Sequence, residues 1–306
     1  MRKTIIGSGI YNLDVIVVRE YPSWPERRPF VDRTVLQEVG GTCGNVMAIL
    51  ARLGWDARPQ VSLDESPEGL RIADDLRRYG CDCRYVTTTP GGGTTILWCN
   101  HRKDPDGNPV MGFRTGSPGG SRFPRRRFLR ARDEAPAFVE ALEEVPLVYF
   151  FDDPAAGHRH LARALRERGS VIYFEPSGGI TPQKLEAASL SDIVKVSAEN
   201  CPDADVYGDV PLLIQTLGGE GVRFRLRGGD WMVLPPAACN SVVDTEGAGD
   251  WTTAVFLDEL FREGFPGMEG LGQGMVSGAL AAAQKMAARS IGYLSPKGMI
   301  SGLAGE

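Results

Sequence analysis

Asp244-Thr245-Glu246-Gly247-Ala248-Gly249-Asp250, running into Trp251-Thr252-Thr253-Ala254-Val255-Phe256-Leu257, is the stretch on which the reading of this chain turns. The apolar pair Val242 and Val243 before it predicts a short strand, and the amphipathic run to Arg262 predicts a helix. Gly247 and Gly249 join them in a turn where no Cβ keeps a ligand from the backbone. The N–H groups at such a helix start point outward on the positive end of the dipole and suit an anion. Asp250 lies in the same turn, and a carboxylate beside an anion site fits phosphoryl transfer. It would take the proton from a hydroxyl while the amides stabilise the moving phosphoryl group. Taken alone, a G-x-G turn reads more readily as a capped helix start, with Asp244 or Thr245 as the N-cap.

The whole string D-T-x-G-A-G-D resembles the second signature of the ribokinase-like (PfkB) family of carbohydrate and nucleoside kinases. The resemblance implies ATP-dependent phosphorylation of a hydroxyl on a small sugar-like molecule. Asp250 would be the base, Gly247, Ala248 and Gly249 the anion hole, and ATP with Mg²⁺ the cofactors. Within the same family the acceptor could instead be a nucleoside, a sugar acid or a phosphosugar. A ligand-binding relative without catalysis is the rival from another class.

Composition permits this and excludes other classes. A chain of 306 residues holds one large α/β domain or two modest ones. The net charge of −5 argues against a general nucleic-acid binder. No apolar run approaches the roughly 18 residues that span a bilayer, and glycines and polar residues interrupt the run after Met1-Arg2-Lys3 as no signal peptide would be. The six cysteines are dispersed without a C-x₂-C pair, so neither a disulfide framework nor a zinc site is expected. The expectation is a soluble, cytoplasmic protein without a nucleic-acid or membrane partner.

Upstream, Thr4–Gly9 reads as a buried strand ending in Gly9-Ile10-Tyr11-Asn12-Leu13-Asp14, with strand resuming at Val15–Val18. Asn12 and Asp14 are turn formers or ligand groups on local grounds. Their G-x-x-N-x-D spacing is similar to the family segment whose aspartate grips substrate hydroxyls. Gly40-Gly41-Thr42-Cys43-Gly44-Asn45, with a helix over Val46–Leu53, resembles the family's first signature. Gly40, Gly41 and Asn45 would then contact the acceptor. Strands at Arg84–Thr89 and Thr94–Asn100 match the small β lid of the family, which covers the sugar and often pairs two subunits. The resemblance thus implies a homodimer through the lid, with Trp98 and Asn100 toward substrate, although packing accounts equally for Trp98. Lid strands are expected within 10–38 and 84–118 of a single domain spanning 1–306.

The segment His101–Pro136 carries six arginines between Arg122 and Arg132 and reads as solvated surface or as a grip on an acidic substrate. From Val145 strands and helices alternate, which predicts a mostly parallel sheet with helices on both faces and ligands beyond the strands' carboxyl ends. In that run Val210–Gln215 reads as helix or strand. His158 and His160, two apart on a helix, read as surface residues. Lys195-Val196-Ser197-Ala198-Glu199-Asn200 resembles the K-x-N/S-x-x-E segment near magnesium and phosphates, with Asn200 where the glutamate is expected and Glu199 one position early. Thr216-Leu217-Gly218-Gly219-Glu220-Gly221 resembles the turn along which ATP lies, so Ser197, Thr216, Gly218 and Gly221 are expected on the nucleotide side. The Gly/Ala-rich helix Leu271–Arg289, including Gly274 and Gly278, permits close helix packing, and the resemblance places the adenine pocket against it. Ser290–Ser295 with Asp244 resembles a loop enclosing a monovalent cation such as K⁺. The fold expected is a ribokinase-like three-layer sandwich with a β lid.

Overall fold

Alternating apolar runs in the chain build a nine-stranded sheet buried on both faces. The computed structural model describes residues 3–20, 31–90, 93–103, 109–118, 120, 127–262 and 265–303. The strands of the large sheet are β1 (Thr4–Ser8), β4 (Asp56–Leu63), β5 (Val86–Thr88), β8 (Val148–Phe151), β9 (Val171–Phe174), β10 (Ile193–Ser197), β11 (Leu212–Thr216), β12 (Val222–Leu226) and β13 (Met232–Leu234). Their spatial order is β13-β12-β11-β10-β9-β8-β1-β4-β5, parallel from β11 to β5, with β12 and β13 antiparallel at one edge. Strand alternation divides the side chains between two cores. Val148, Phe150, Tyr173, Ile193 and Leu212 face helices α1 (Thr42–Arg52), α2 (Pro67–Arg78), α6 (Ala248–Leu260) and α7 (Gln273–Ser290). Tyr149, Phe151, Phe174, Val194 and Leu213 face α3 (Ala135–Glu140), α4 (Ala156–Glu167) and α5 (Pro182–Ser189). This is the three-layer arrangement expected, with α8 (Gly298–Leu303) completing the chain.

A second sheet, in the order β3-β2-β6-β7, consists of β2 (Asn12–Glu20), β3 (Val31–Gly40), β6 (Thr95–Lys103) and β7 (Pro109–Gly116). It falls within the expected lid spans except for the last two residues of β3. One expected lid strand is not there: β5 pairs parallel with β4 at the edge of the large sheet. β7 comes instead from the Arg-rich segment, where composition had suggested surface loop. Of that segment, Arg127 and Arg130 pair with Glu134 at 3.4 and 3.1 Å, while residues 122–126 lie outside the described set.

Helix starts follow local chemistry. Ser66 accepts from Gly69 N at 3.1 Å ahead of Pro67, and Thr181 accepts from Lys184 N ahead of Pro182. α1 begins four residues before the apolar periodicity does. Gly41 turns the chain at φ 79°, and Asp152 from the end of β8 receives Cys43 N at 3.0 Å. The segment before α6 is a loop, not a strand. Val242 and Val243 are 47% and 44% exposed, and the N–H groups of Val243 and Asp244 both donate to the Ile291 carbonyl. Gly247, at φ 76°, caps α6 in place of Asp244 or Thr245. His158 is not a surface residue: it is 1% exposed, its Nδ1 lies 3.0 Å from Asp153 O, and its ring meets Phe128. All six cysteines are free thiols, and among the described residues no His/Cys/Asp/Glu group could hold a metal and no helix could cross a membrane.

Candidate active site

The carboxyl ends of the parallel strands, the first turns of α1 and α6, and one face of the lid converge on Asp250. This residue stands in the first turn of α6 and is 8% exposed. The N–H groups of Gly249 and Asp250 have no acceptor among the described residues, so the helix start keeps two donors of the kind an anion could use. Gly247 is required by geometry: its left-handed φ and the Pro296 ring, 2.4 Å from where a Cβ would be, exclude a side chain. Beneath this turn Lys195 donates to Gly249 O at 2.8 Å and pairs with Glu175 Oε1 at 2.6 Å. Glu175 Oε2 also accepts from Thr253 Oγ1. Burial, then the charge of Glu175, raises the Asp250 carboxyl to about 6, against the lowering effect of Asn45, Lys195 and Lys297.

Asn45 donates through Nδ2 to Asp250 Oδ2 at 2.6 Å, and its Oδ1 accepts from Lys297 Nζ. Lys297 is 1% exposed and lies 3.4 Å from Glu38 Oε1, an ion pair outside hydrogen-bond geometry. Glu38 on β3 is in register with Asp14 on β2, so two buried carboxylates share one lid face. Asp14 is pushed up to about 7 by burial, with Lys297 opposing and Glu38, Asp250 and Asp244 adding to the rise. The Oδ1 atoms of Asn12 and Asp14 are buried without a hydrogen-bond partner among the described residues. Both are therefore acceptors awaiting donors.

The expected residues divide into those brought together and those set apart. Asn12, Asp14, Asn45, Gly247, Ala248, Gly249 and Asp250 converge. Gly40 lies against them but is packed, since a Cβ there would strike the Asp14 carboxylate at 1.7 Å, and Gly41 is likewise closed off by Ile10 O. These glycines allow Asp14 and the α1 turn to approach; they are not open backbone. Trp98 is corrected: it is in register with Val15, hence on the lid face opposite Asp14, with Arg114 stacked 4.3 Å from its ring. Asn100 shares that face by alternation and donates to Gly112 O.

On the other side of Asp250 the chain ends of β10 and β11 carry Ser197 and Thr216. Ser197 Oγ accepts from Asn200 N at 3.2 Å, and Glu199 is exposed. The turn after Thr216 closes through Leu217 N to Gly221 O, with Gly218 at φ 60° and Gly221 at φ 101°. On α7, Ala279 and Ala283 are buried, but Gly274 and Gly278 are exposed with open space where a Cβ would be. These two glycines do not serve helix packing; they leave a bare wall.

Glu246 is raised to about 8, first by burial and then by Asp250, Asp244, Asp14 and Glu199; among the described residues these carboxylates are not gathered closely enough to hold a metal by themselves. Asp244 is different: its Oδ1 and Oδ2 accept from Glu246 N and Ser295 N, both at 2.9 Å, and Ile291 O is doubly used. Asp244 ties down the loop before α6, each of its carboxylate oxygens accepting one N–H. Lys297, Glu38, Glu175 and Asp152 are the site residues that sequence reasoning missed. None stands in a glycine motif or repeats with a helical or strand period.

Residues 5–299 match the model of the pfkB family carbohydrate kinases. The chain belongs to that family. The pfkB fold is also shared, at 18% identity and TM-score 0.71, with a fructokinase from Xylella fastidiosa bound to ATP, over 97% of this chain and 94% of the other. A Burkholderia thailandensis nucleoside kinase in complex with inosine matches at 20% identity and TM-score 0.65, over 96% and 92%. A ribokinase from Cryptococcus neoformans in complex with ADP matches at 14% and 0.68, over 97% and 96%. No curated relative matches the sequence.

Proposed function

We propose that this chain transfers the γ-phosphoryl group of ATP to a hydroxyl of a small, neutral, sugar-like molecule. The observation that carries the reading is Asp250, a buried carboxylate raised to about 6, beside two helix-start N–H groups without acceptors. Asp250 takes the acceptor's proton, and the Gly247–Gly249 turn holds the phosphoryl oxygens as charge develops. Lys195, under the turn and paired with Glu175, holds the Gly249 carbonyl and so fixes the turn. Asn12 and Asp14 accept hydrogen bonds from the other hydroxyls. ATP lies along Ser197, Thr216, Gly218 and Gly221, with its base on the Gly278 wall. Mg²⁺ arrives with ATP and neutralises phosphate charge, and Glu199 and Glu246 would hold it through water. Pairing of two copies through the lid belongs to the same proposal.

The acceptor end supports a neutral polyol over an anion. It holds Asp14, Glu38, Glu246 and Asp250 against Lys297 and the Glu175-paired Lys195, and its unpartnered oxygens call for donors. A nucleoside offers the same ribose hydroxyls and remains within the reading. ADP release from Mg-ATP should appear with members of a panel of fructose, ribose, related sugars and inosine, and not with gluconate or fructose 6-phosphate. Turnover confined to the anionic members would overturn the neutral assignment, and silence across the panel would count against the kinase.

A further inference from the structure

The Asn45 side chain is held at both ends. An amide presents an oxygen on one side and an NH₂ on the other, and either could meet Asp250. Only one orientation is productive, because an amide oxygen against a carboxylate is repulsive. Lys297 decides which, since an ammonium can only donate and so claims Oδ1. Nδ2 is then left facing Asp250 Oδ2 at 2.6 Å. We propose that Lys297 is a positioning residue, which locks the Asn45 amide in the orientation that presents an N–H to Asp250 and so sets the proton affinity of that carboxylate.

Lys297 does not touch Asp250: its charge acts on that carboxylate from a distance, and its hydrogen bond acts through the Asn45 amide. The other charged groups around Asp250 are Glu175 and Lys195 from the ends of β9 and β10, Asp14 and Glu38 from the lid, and Glu246 in its own turn. None of these is bonded to the Asn45 amide. Lys297 reaches it from the segment after α7, Asn45 stands in α1 and Asp250 in α6, while Glu38 meets the same ammonium from β3. The orientation of the amide thus draws on both the body and the lid.

The test reads Asp250 directly and does not depend on the kinase reading. The carboxyl carbon of Asp250 in ¹³C-labelled protein, assigned with Asp250→Asn, is titrated by NMR in the full chain. Lys297→Met and Asn45→Leu should each raise the midpoint by about one pH unit or more, because each removes the hydrogen bond or its orientation. The double variant should move less than the sum of the two single shifts, because both single variants remove the same oriented N–H. An unmoved midpoint in Lys297→Met would overturn the proposal. So would additive shifts, which would mean that the lysine acts on Asp250 only as a distant charge. Should Lys297→Met fail to fold, Lys297→Ala, which likewise offers Asn45 no donor, carries the same titration with the same two outcomes.

Discussion

The two halves of the site on either side of Asp250 are built from different material. Toward the lid, side chains make the site: Asn12, Asp14, Glu38, Asn45 and Lys297, all buried and mostly charged. Toward β10 and β11, backbone makes it: glycine turns at Gly218 and Gly221, the strand end at Thr216, and the bare Gly274–Gly278 stripe, largely exposed. A buried charged constellation is selective and costly, because burial makes a carboxylate such as Asp14 resist ionising. An exposed backbone surface is cheap and serves a ligand that brings its own charge. Substitutions on the lid side should therefore alter acceptor use and stability together, and substitutions on the other side should alter ATP use alone.

The largest separable effect is expected for Asp14→Asn. Hydrogen bonds to a charged group contribute about 1.5–3 kcal/mol, so KM for the acceptor should rise about tenfold or more with KM for ATP unchanged. Stability should move the other way. The folded-state value of Asp14, about 7, lies above its ordinary 3.8. The folded form therefore holds a proton that the unfolded form has lost, and stability falls as pH rises from about 4 through 7. Asp14→Asn should melt higher than the parent at pH 8, with the gain vanishing below pH 4. A variant that loses both acceptor affinity and stability at pH 8 would break the contrast between the two halves.

A smaller effect is expected at Gly278→Leu. Filling the open wall should raise KM for ATP by roughly fivefold, in line with the ~1–3 kcal/mol cost of overpacking, and leave acceptor KM and melting temperature alone. A change in melting temperature without a change in ATP use would return Gly278 to helix packing.

The same division explains what the sequence could tell. Glycine motifs state a backbone requirement locally, so D-T-x-G-A-G-D and the Thr216–Gly221 turn were legible before any fold was known. The large sheet was legible too, because Val171–Phe174 is an apolar run and Val222–Leu226 alternates apolar residues with arginines, each bounded by turns, and both strands have those limits. The charged network was not. Lys297 follows Ser295-Pro296 in a stretch without periodicity, and Glu38 sits in a polar-looking strand. Only the tertiary fold brings them to Asn45, 252 residues from Lys297. Trp98 went astray for a related reason: alternation places it one residue off the face that carries Asp14, and the register with Val15 cannot be read from one strand. The expected strand before Asp244 failed because Val242 and Val243 have no sheet partner among the described residues, and the Val243 and Asp244 N–H groups go instead to the Ile291 carbonyl.

The most direct test of the account is the pH dependence of kcat/KM for an accepted sugar, measured for the parent and for Asp250→Asn alongside ATP binding. The parent should lose activity on the acid side with an apparent value between 6 and 7, a limb shared by the coupled pair Asp250 and Asp14. Asp250→Asn should bind ATP as the parent does and lose a factor of about 10² or more in kcat, the usual weight of general-base catalysis. A variant that keeps full activity and the same acid limb would remove Asp250 from the chemistry, and with it the central claim.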